Sequence, residues 1–384
     1  MSLVFLGGEI MARILHMADM HLDSAFTARL SADMARLRRS EQRAVFSRII
    51  DTARESADVL LISGDLFDSA NVSDETISFL KRKFAEIRNI PVFIAAGNHD
   101  PYAPDSVYAN QDFGENVRVF GTAGEYFDLD DLKLRICGAS FGSEDGANVP
   151  SICDMPRHDE YNNIAVIHGD VVSGVSSAGR YNPISVSEIE KSGFDYAALG
   201  HVHTFSGFNK AGKTVWAYPG IPEPRGFDEC AEKGRYGVIC IDGFDEAGFK
   251  FKELHERAYH VLDIGIDETV TDSEMIIELI SERLSEFSEK DLFKIIISGS
   301  PAEGFRPNIE MIGERIKNSA FLVTVEDKTE ALRSLTADEN DNSLRAVYIR
   351  MLNELTGASD NEEDRIIAET ALKFGIDALD GRLN

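Results

Sequence analysis

The sequence predicts an α/β layer fold with a large first domain and a smaller second one. Short β-branched runs alternate with longer amphipathic segments along most of the chain, as they do in layered α/β proteins. The predicted secondary-structure pattern changes near residue 258, where a new alternation of strand and helix segments begins. A length of 384 residues also exceeds one ordinary hydrophobic core, so more than one domain is expected.

Eight apolar runs in the first domain, residues 11–257, are predicted to be strands because each is short and bounded by turn residues. They read ARILHMA, DVLLIS, PVFIAA, LKLRICGAS, NIAVIH, DYAALG, TVWAYPG and YGVICID. Amphipathic segments around residues 41–55, 74–88 and 185–192 predict helices. The opening MSLVFLGGEI lacks the basic start of a signal peptide, so we expect it to be an extension, with the ordered chain starting near Met11.

Residues 258–332 follow the order strand, helix, strand, helix, strand, which predicts a second, small α/β domain. Thr271 and Glu274 have the spacing of a capping box at the start of its first helix. A polar segment, SLTADENDNS, then leads to a helical tail at residues 343–380.

Composition limits the classes of protein to consider. Hydrophobic residues make up 43% of the chain and charged residues 27%, and no apolar run approaches the roughly 20 residues of a membrane helix. The four cysteines fall in no paired spacing, which argues against a disulfide framework and a sulfur-ligated zinc site. A reducing cytoplasm and no membrane association are therefore expected.

The net charge of −27 argues against a chain that binds nucleic acid through its own surface alone. About half of this excess lies after residue 257. Seven arginines between residues 29 and 54 form a local exception, interpreted either as a solvated helix face or as a basic patch. They are Arg29, Arg36, Arg38, Arg39, Arg43, Arg48 and Arg54.

Five apolar strands each end in side chains that bind metals or transfer protons. These side chains are Asp19 and His21, Asp65, Asn98 and His99, His168, and His201 and His203. Residues two apart in an extended chain point to the same face, and ligands of open α/β sheets sit at the strand ends. A Gly-Asp turn or a hydrogen-bonded histidine explains any one of them, but all five together predict a metal site. His16, at odd spacing, is assigned to the core.

The residue types indicate which metals would bind. Carboxylates, an amide oxygen and imidazoles without a thiolate suit Mn²⁺, Fe²⁺ or Zn²⁺. The ligands are too many for one ion, so two divalent metal ions sharing a bridging carboxylate are expected. Such a pair activates water and stabilises the oxygens of an in-line displacement at phosphorus.

The series Asp19-Met20-His21, Gly64-Asp65, Gly97-Asn98-His99-Asp100, His168 and Gly200-His201-Val202-His203 resembles the motifs of the calcineurin-like metallophosphoesterases. It occupies about residues 12–205. The segments LISGDLFDSA, AVIHGDVV, FDYAALGHVHT and AYPGIPEPRGFDE further resemble the branch of DNA double-strand-break repair nucleases that includes the SbcD- and YhaO-type enzymes.

The resemblance implies roles for the matching residues. The first metal would be bound by Asp19, His21, Asp65 and His203. The second would share Asp65 as the bridge and add Asn98, His168 and His201. His99 would protonate the leaving oxygen or steady the phosphate, and Asp100 would orient His99. For Asp68, action on substrate and support of a neighbouring loop are both open.

The resemblance also implies a fold and an activity. The fold is a two-sheet β-sandwich flanked by helices, followed by a small α/β capping domain that helps to bind DNA. The expected activity is that of a Mn²⁺-dependent DNA nuclease subunit. A phosphatase or phosphodiesterase acting on small or protein-borne phosphates is the alternative, and a non-catalytic scaffold is a third. The capping domain favours the nuclease, whereas the acidity opposes it.

The tail carries two apolar stripes at helical spacing. The first consists of Leu344, Val347, Tyr348, Met351, Leu352 and Leu355, and the second of Ile366, Ile367, Ala371 and Phe374. By resemblance, this tail is expected to dock on an SMC-like ATPase of the SbcC type, which would add basic surface for DNA. Folding back onto the second domain is the alternative, and homodimer formation is left open.

Overall fold

A computed structural model describes residues 12–26, 30–143, 149–172, 181–232, 234–330, 341–358 and 361–379. The expected extension at residues 1–10 lies outside them. The chain divides into two compact units, Met1–His260 and Val261–Asn384. The sequence pattern placed a change at residue 258 and a separate tail from residue 343, and the tail falls within the second unit. No helix among the described residues is long and apolar enough to cross a bilayer.

The first unit contains strands and helices in alternation. Its strands are β1 (Arg13–Met17), β2 (Val59–Ser63), β3 (Val92–Ala95), β4 (Val117–Val119), β5 (Glu125–Leu129), β6 (Leu134–Ala139), β7 (Asn162–His168), β8 (Val171–Val172), β9 (Ile184–Ser185), β10 (Tyr196–Gly200), β11 (Asn209–Ala211), β12 (Thr214–Ala217), β13 (Gly237–Asp242) and β14 (Phe249–Glu253). Its helices are α1 (Ala32–Ser56), α2 (Asp74–Glu86), α3 (Val107–Asn110) and α4 (Val186–Ser192).

Twelve of these described strands form two sheets of six. The first sheet has the order β14-β13-β1-β2-β3-β4, in which β1 to β4 are parallel and β13 runs antiparallel to β1. The second has the order β11-β12-β10-β7-β6-β5, with β12, β10, β7 and β6 parallel. Parallel neighbours end at the same edge of a sheet, so the chain segments that follow them are brought together there.

The two sheets pack face to face, and helices cover their outer faces. Val59 and Leu61 of β2 lie in the core between the sheets with Ile164 of β7, whereas Leu60 and Ile62 pack beneath α1 and α2. On the far side, Ile189 of α4 packs on the second sheet. Strands buried on both faces explain the unbroken apolar runs of the sequence. The predicted two-sheet sandwich flanked by helices is confirmed.

His16 lies between the sheets, as its odd spacing predicts. It is fully buried, with Nδ1 2.8 Å from the hydroxyl oxygen of Tyr196 and Nε2 2.9 Å from Oγ of Ser63. Burial lowers the pKa of His16 to about 3. It is therefore a neutral core residue.

Helix α1 begins nine residues before the predicted segment and buries part of the arginine cluster. Arg38 is fully buried and forms an ion pair with the fully buried Glu223, and it also donates to the carbonyl of Pro224 at 3.0 Å. The other described arginines of α1 that form ion pairs do so with acids nearer the surface, as Arg43 does with Glu75. Neither the solvated face nor the basic patch describes Arg38, while Arg29 lies outside the described residues.

Glu223→Gln is expected to destabilise the first unit because the buried Arg38 would lose one of its two carboxylate partners and keep only Glu41. Burying a charged hydrogen-bonding group without its full partner costs about 1–3 kcal/mol of unfolding free energy. Glu75→Gln is the matched control, since the side chain of Glu75 is 77% exposed and such pairs contribute about 0–1 kcal/mol. Urea unfolding of both variants measures the difference, and equal losses would contradict the assigned importance of the buried pair.

The second unit has its own small core. Strands β15 (Tyr259–Ile266), β16 (Leu292–Gly299) and β17 (Leu322–Thr329) form a three-stranded sheet in that order, and α5 (Ser273–Leu284) and α6 (Ile309–Ile316) pack on it. The capping-box prediction is wrong by one residue. Asp272, rather than Thr271, is the N-cap of α5, and its side chain accepts from the backbone N–H of Met275 at 3.0 Å.

The tail forms a helical hairpin of α7 (Leu344–Ala358) and α8 (Glu362–Leu379). Its core consists of Ile349, Leu352, Leu372 and Ile376, against which Tyr348 and Ala371 pack. The remaining apolar stripe residues are exposed, and they are Leu344, Val347, Met351, Leu355, Ile366, Ile367 and Phe374. The two helices therefore use only part of their apolar surface on each other.

Candidate metal centre

The side chains predicted to form the site follow strands of both sheets. Strands β1, β2 and β3 of the first sheet lead to Asp19, His21, Asp65, Asn98 and His99, whereas β7 and β10 of the second lead to His168, His201 and His203. Two groups place one possible ligand atom from each residue within 4.8 Å of the others: Asp19, His21 and His203, and Asp19, Asp65 and His168. The site thus joins the two sheets at one end of the sandwich.

The backbone at four of these positions is left-handed, which is uncommon for residues with a Cβ. The φ angles are +52° at Asp19, +48° at His21, +49° at Asp65 and +111° at His201. Each residue follows its strand rather than extending it, so the extended alternation assumed for the D-x-H and H-x-H spacings is wrong. Such conformations cost about 1–3 kcal/mol each and cluster at functional sites.

Hydrogen bonds between loops hold this backbone in place. The backbone N–H of Asp19 donates to the carbonyl of Gly64 at 3.0 Å, and the backbone N–H of His21 donates to the carbonyl of Asp65 at 2.9 Å. From α1, the amide of Gln42 donates to the carbonyls of Met20 and His21 at 2.8 and 2.9 Å. The turns that carry the first candidate ligands are therefore fixed by β2 and by α1.

The carboxylate of Asp65 lies between the two sets of imidazoles. Its Oδ1 accepts from the backbone N–H of His99 at 3.0 Å, which leaves Oδ2 facing the site. Oδ2 is 3.7 Å from Nε2 of His21 and 3.4 Å from Nε2 of His168. Gly97 has room for no side chain here, because a Cβ would collide with Oδ1 of Asp65. The glycine of the G-N-H-D turn thus permits the close approach of this carboxylate.

The donor atoms point at one another in the way that ligands around ions do. Nε2 of His21 is 3.1 Å from Nε2 of His203. Oδ1 of Asn98 is 3.0 Å from Nε2 of His168 and 3.2 Å from Nδ1 of His201. Imidazole nitrogens and carboxylate and amide oxygens in two such groups fit two divalent ions, and the set contains no thiolate.

Burial and mutual charge set the protonation of these side chains. Burial lowers the pKa of His168, but the neighbouring carboxylate of Asp65 outweighs this and raises it to about 9. Burial alone would raise the pKa of Asp65, yet the charge of His168 holds it below its ordinary value. Burial lowers the pKa of His21 to about 4. Since ligating histidines are neutral, binding of an ion near His168 would release a proton.

His99 lies at the exposed side of the cluster with its ring 4.8 Å from that of His21. Its Nδ1 is 3.0 Å from the carbonyl oxygen of Asp68, so Nδ1–H donates to that carbonyl and Nε2 remains directed away from it. The side chain of Asp68 instead approaches His21, with Oδ1 3.3 Å from Nδ1.

Asp100, predicted to orient His99, contacts the backbone around the turn rather than the imidazole ring. Asp100 is buried and accepts from the backbone N–H of Gly97 at 2.7 Å, from that of Phe67 at 3.0 Å and from the hydroxyl of Tyr108 at 2.6 Å. Burial raises the pKa of Asp100 to about 7. Asp100 therefore fixes the turn that carries His99, while the backbone of Asp68 contacts the imidazole.

Arg225 and Glu229 also reach the site, although sequence reasoning assigned them no role. Nδ1 of His203 is 2.7 Å from Oε1 of Glu229, and Arg225 donates to Asp68 at 2.6 Å and to Glu229 at 2.9 Å. Both residues belong to the segment AYPGIPEPRGFDE, which resembles a segment of the repair nucleases. Its charged residues after an apolar strand are the signal that points to them.

The family model of the calcineurin-like phosphoesterases matches residues 12–205, which span every candidate ligand and just over half of the chain. The chain belongs to this family. Members of the family use a dimetal site, and the donor groups around Asp65 are candidate ligands for one. The protein is therefore a metallophosphoesterase-family hydrolase.

Individual relatives lie within and beyond the bacteria. "Uncharacterized metallophosphoesterase YhaO" of Bacillus subtilis is 28% identical over 75% of this chain and 72% of that protein. "DNA double-strand break repair protein Mre11" of Methanopyrus kandleri is 27% identical over 66% of this chain and 59% of that protein. A subunit of the nuclease SbcCD from Staphylococcus epidermidis is 22% identical over 64% of this chain and 71% of that protein. The SbcD- and YhaO-type branch is thus represented among the similar proteins.

Proposed function

We propose that this protein is a DNA nuclease subunit that hydrolyses phosphodiester bonds at a dimetal centre, in the repair of double-strand breaks. The observation that supports it most is the position of Asp65, whose Oδ2 lies between an imidazole from each sheet. The first ion is assigned to Asp19, His21, Asp65 and His203, and the second to Asp65, Asn98, His168 and His201. The names of two relatives, an Mre11 repair protein and a nuclease subunit, favour DNA as the substrate.

The ions are proposed to be Mn²⁺, with Fe²⁺ and Zn²⁺ as alternatives. The proposal follows from the mixture of carboxylate, amide and imidazole donors, which suits ions that accept high coordination numbers. When bound, such a pair polarises the phosphate and activates water for in-line attack at phosphorus.

The protein's own groups orient the reactants and move the proton. Because Nδ1–H of His99 donates to the carbonyl of Asp68, Nε2 is the nitrogen that remains for a proton transfer. In its protonated form, His99 donates the Nε2 proton to the oxygen that leaves phosphorus, so the product departs as an alcohol. Asp100 keeps the turn of His99 in place through Gly97 and Phe67.

The alternative is a phosphatase or phosphodiesterase for small or protein-borne phosphates. The charge distribution favours it, since the net charge is −27 and the ion pairs of α1 direct Arg38, Arg43 and Arg48 toward acids of the same chain. DNA binding by this chain alone would lack the basic surface on which phosphate contacts usually depend.

One assay separates the two activities. Purified protein with Mn²⁺ is offered labelled duplex DNA and, separately, bis-p-nitrophenyl phosphate. A nuclease degrades both, whereas hydrolysis of the small diester without degradation of DNA, including in the presence of a basic partner protein, would favour the alternative. Loss of both activities with EDTA and their return with Mn²⁺ is expected.

We also propose that the hairpin of α7 and α8 docks on an SMC-like ATPase of the SbcC type. Its apolar stripe is exposed, with Val347 at 46% and Met351 at 51% exposure. An exposed apolar stripe on an amphipathic helix is typical of a surface that binds a partner protein. The Staphylococcus relative is named as one subunit of a nuclease, which supports the presence of a partner. Such a partner would also contribute the basic surface that this chain lacks.

Val347→Lys combined with Met351→Lys is expected to abolish co-purification with the ATPase while leaving hydrolysis of bis-p-nitrophenyl phosphate unchanged. Both side chains are exposed and lie outside the hairpin core, so the helices should remain folded. Asn353→Lys, at another exposed position of α7, controls for the added charge. Undiminished co-purification of the double variant would contradict docking through this stripe.

A further inference from the structure

Arg225 contacts two carboxylates that follow strands of different sheets, Asp68 after β2 and Glu229 after β12. Its Nη1 donates to Oδ1 of Asp68 at 2.6 Å, and its Nη2 and Nε donate to Oε1 of Glu229 at 2.9 and 3.2 Å. The backbone N–H of Arg225 donates to Oε2 of Glu229 at 2.7 Å, which closes the loop after β12 on itself. The guanidinium and both carboxylates are thus held together by charge-assisted hydrogen bonds.

Each of these two carboxylates lies near Nδ1 of a histidine assigned to the first ion, either His21 or His203. Oε1 of Glu229 is 2.7 Å from Nδ1 of His203, and Oδ1 of Asp68 is 3.3 Å from Nδ1 of His21. The Nε2 atoms of the same two histidines converge to 3.1 Å. The His203 ring is therefore hydrogen-bonded to a carboxylate on the side away from its candidate ligand atom, whereas Nδ1 of His21 lies near the carboxylate of Asp68 without forming a hydrogen bond.

The histidines assigned to the second ion, His168 and His201, have no carboxylate that orients their rings in this way. Nδ1 of His168 donates to a neutral carbonyl, that of Ser63, at 2.9 Å. Nε2 of His201 is 3.8 Å from Oδ1 of Asp170, which is beyond hydrogen-bonding distance. The two halves of the centre thus differ in what orients their imidazoles.

We propose that Arg225, Glu229 and Asp68 are positioning residues that make the His21–His203 half the tighter of two unequal metal sites. A carboxylate that accepts Nδ1–H fixes the tautomer with Nε2 free for a metal, fixes the ring orientation and strengthens the nitrogen as a donor. The inference rests on the proposed ligands, and it assigns Asp68 the supporting role left open by the sequence.

Two other roles for these residues fit the geometry less well. An arginine that binds substrate phosphate uses its N–H groups for that phosphate, but three of the five N–H groups of Arg225 already donate to carboxylates whose charge would repel a phosphate. A third ion among His21, Asp68 and His99 is also suggested by their proximity. The carboxylate of Asp68 is already paired with the guanidinium of Arg225, whose positive charge would repel a third ion there.

The test measures Mn²⁺ binding to metal-stripped full-length protein by calorimetry and by metal analysis after gel filtration. Wild type is expected to bind two ions with different affinities. Glu229→Gln and Arg225→Lys should each weaken one site by about 10–100-fold and leave the other unchanged. Glu232→Gln is the matched control because Glu232 lies on the same loop as Glu229 and also pairs with a histidine, with its carboxylate 3.0 Å from Nδ1 of His260. This substitution should change neither metal site.

Double variants separate a local role from general damage to the fold. In a His168→Ala background, which retains the first site, Glu229→Gln should keep its full effect on affinity. In a His203→Ala background, the remaining second site should be insensitive to Glu229→Gln. An equal loss in both backgrounds would overturn the inference, as would a third ion that disappears in Asp68→Asn.

The result also distinguishes this inference from the proposed metal centre. If wild type binds two ions and Glu229→Gln binds both with unchanged affinity, the positioning role is wrong while the metal centre stands. If wild type binds fewer than two ions, or His203→Ala loses none, the ligand assignment itself fails and the inference falls with it.

Discussion

His99→Ala is expected to lower turnover by about 10²–10⁴-fold while both ions remain bound. The exposed ring lies beside the donor groups, and its Nδ1–H donates to the carbonyl of Asp68, which leaves Nε2 for a proton transfer. The variant would therefore lose the proton donor for the leaving oxygen without losing a ligand. Its backbone N–H, which binds Oδ1 of Asp65, is retained.

The measurement compares kcat for an alkyl phosphodiester, whose leaving oxygen needs a proton, with kcat for bis-p-nitrophenyl phosphate, and includes the metal content. A leaving group that needs no proton, such as p-nitrophenolate, should reduce the effect compared with an alkyl ester of the same phosphate. His158→Ala, which removes a histidine stacked on Tyr161, is the control. Loss of an ion from the His99→Ala protein would mean that His99 is a ligand and not an acid.

Asp65→Asn is expected to remove both ions and thereby the activity. The amide is isosteric, but its oxygen must face the backbone N–H of His99, which the native Oδ1 accepts at 3.0 Å. The amide NH₂ would then replace Oδ2 between His21 and His168 and direct protons at both ions. No single substitution of a candidate histidine ligand should affect both sites equally.

Metal analysis of Asp65→Asn, His21→Ala and His168→Ala tests this difference. The two alanine variants should each weaken mainly one site, by at least ~10–100-fold. Asp128→Asn, which breaks an ion pair with Arg135 at the edge of the second sheet, serves as the control carboxylate substitution. Retention of two tightly bound ions by Asp65→Asn would exclude a bridging role.

The central strands could be predicted from the sequence because they are buried on both faces. A run such as VLLIS, whose five residues are all buried in β2, has no polar alternation to obscure it. The short edge strands β4, β5 and β11 were missed, since exposed edges carry the mixed composition of loops. In β14, Phe249 and Phe251 alternate with Lys250 and Lys252, and this alternation is the pattern of a strand with one buried face.

The candidate ligands could be identified from spacing, but their supports could not. Histidines and aspartates after apolar runs are visible in the sequence, although the left-handed φ of His21 contradicts the extended geometry used to group them. The contact of Arg225 with Asp68 joins loops 157 residues apart. Such a pairing depends on how the two sheets dock, which no local pattern encodes.

The joining of both sheets at the metal centre has a consequence for synthesis of the chain. Asp19 accepts from the backbone N–H of His201, and 182 residues separate them. At about 5–20 residues per second, roughly 10–40 s pass between emergence of the first donor and arrival of the last strand that completes its surroundings. At the start of that interval the nascent chain carries only the candidate donors that follow β1, β2 and β3. The full set of candidate donors is therefore assembled only after strands of both sheets have been synthesised and have docked.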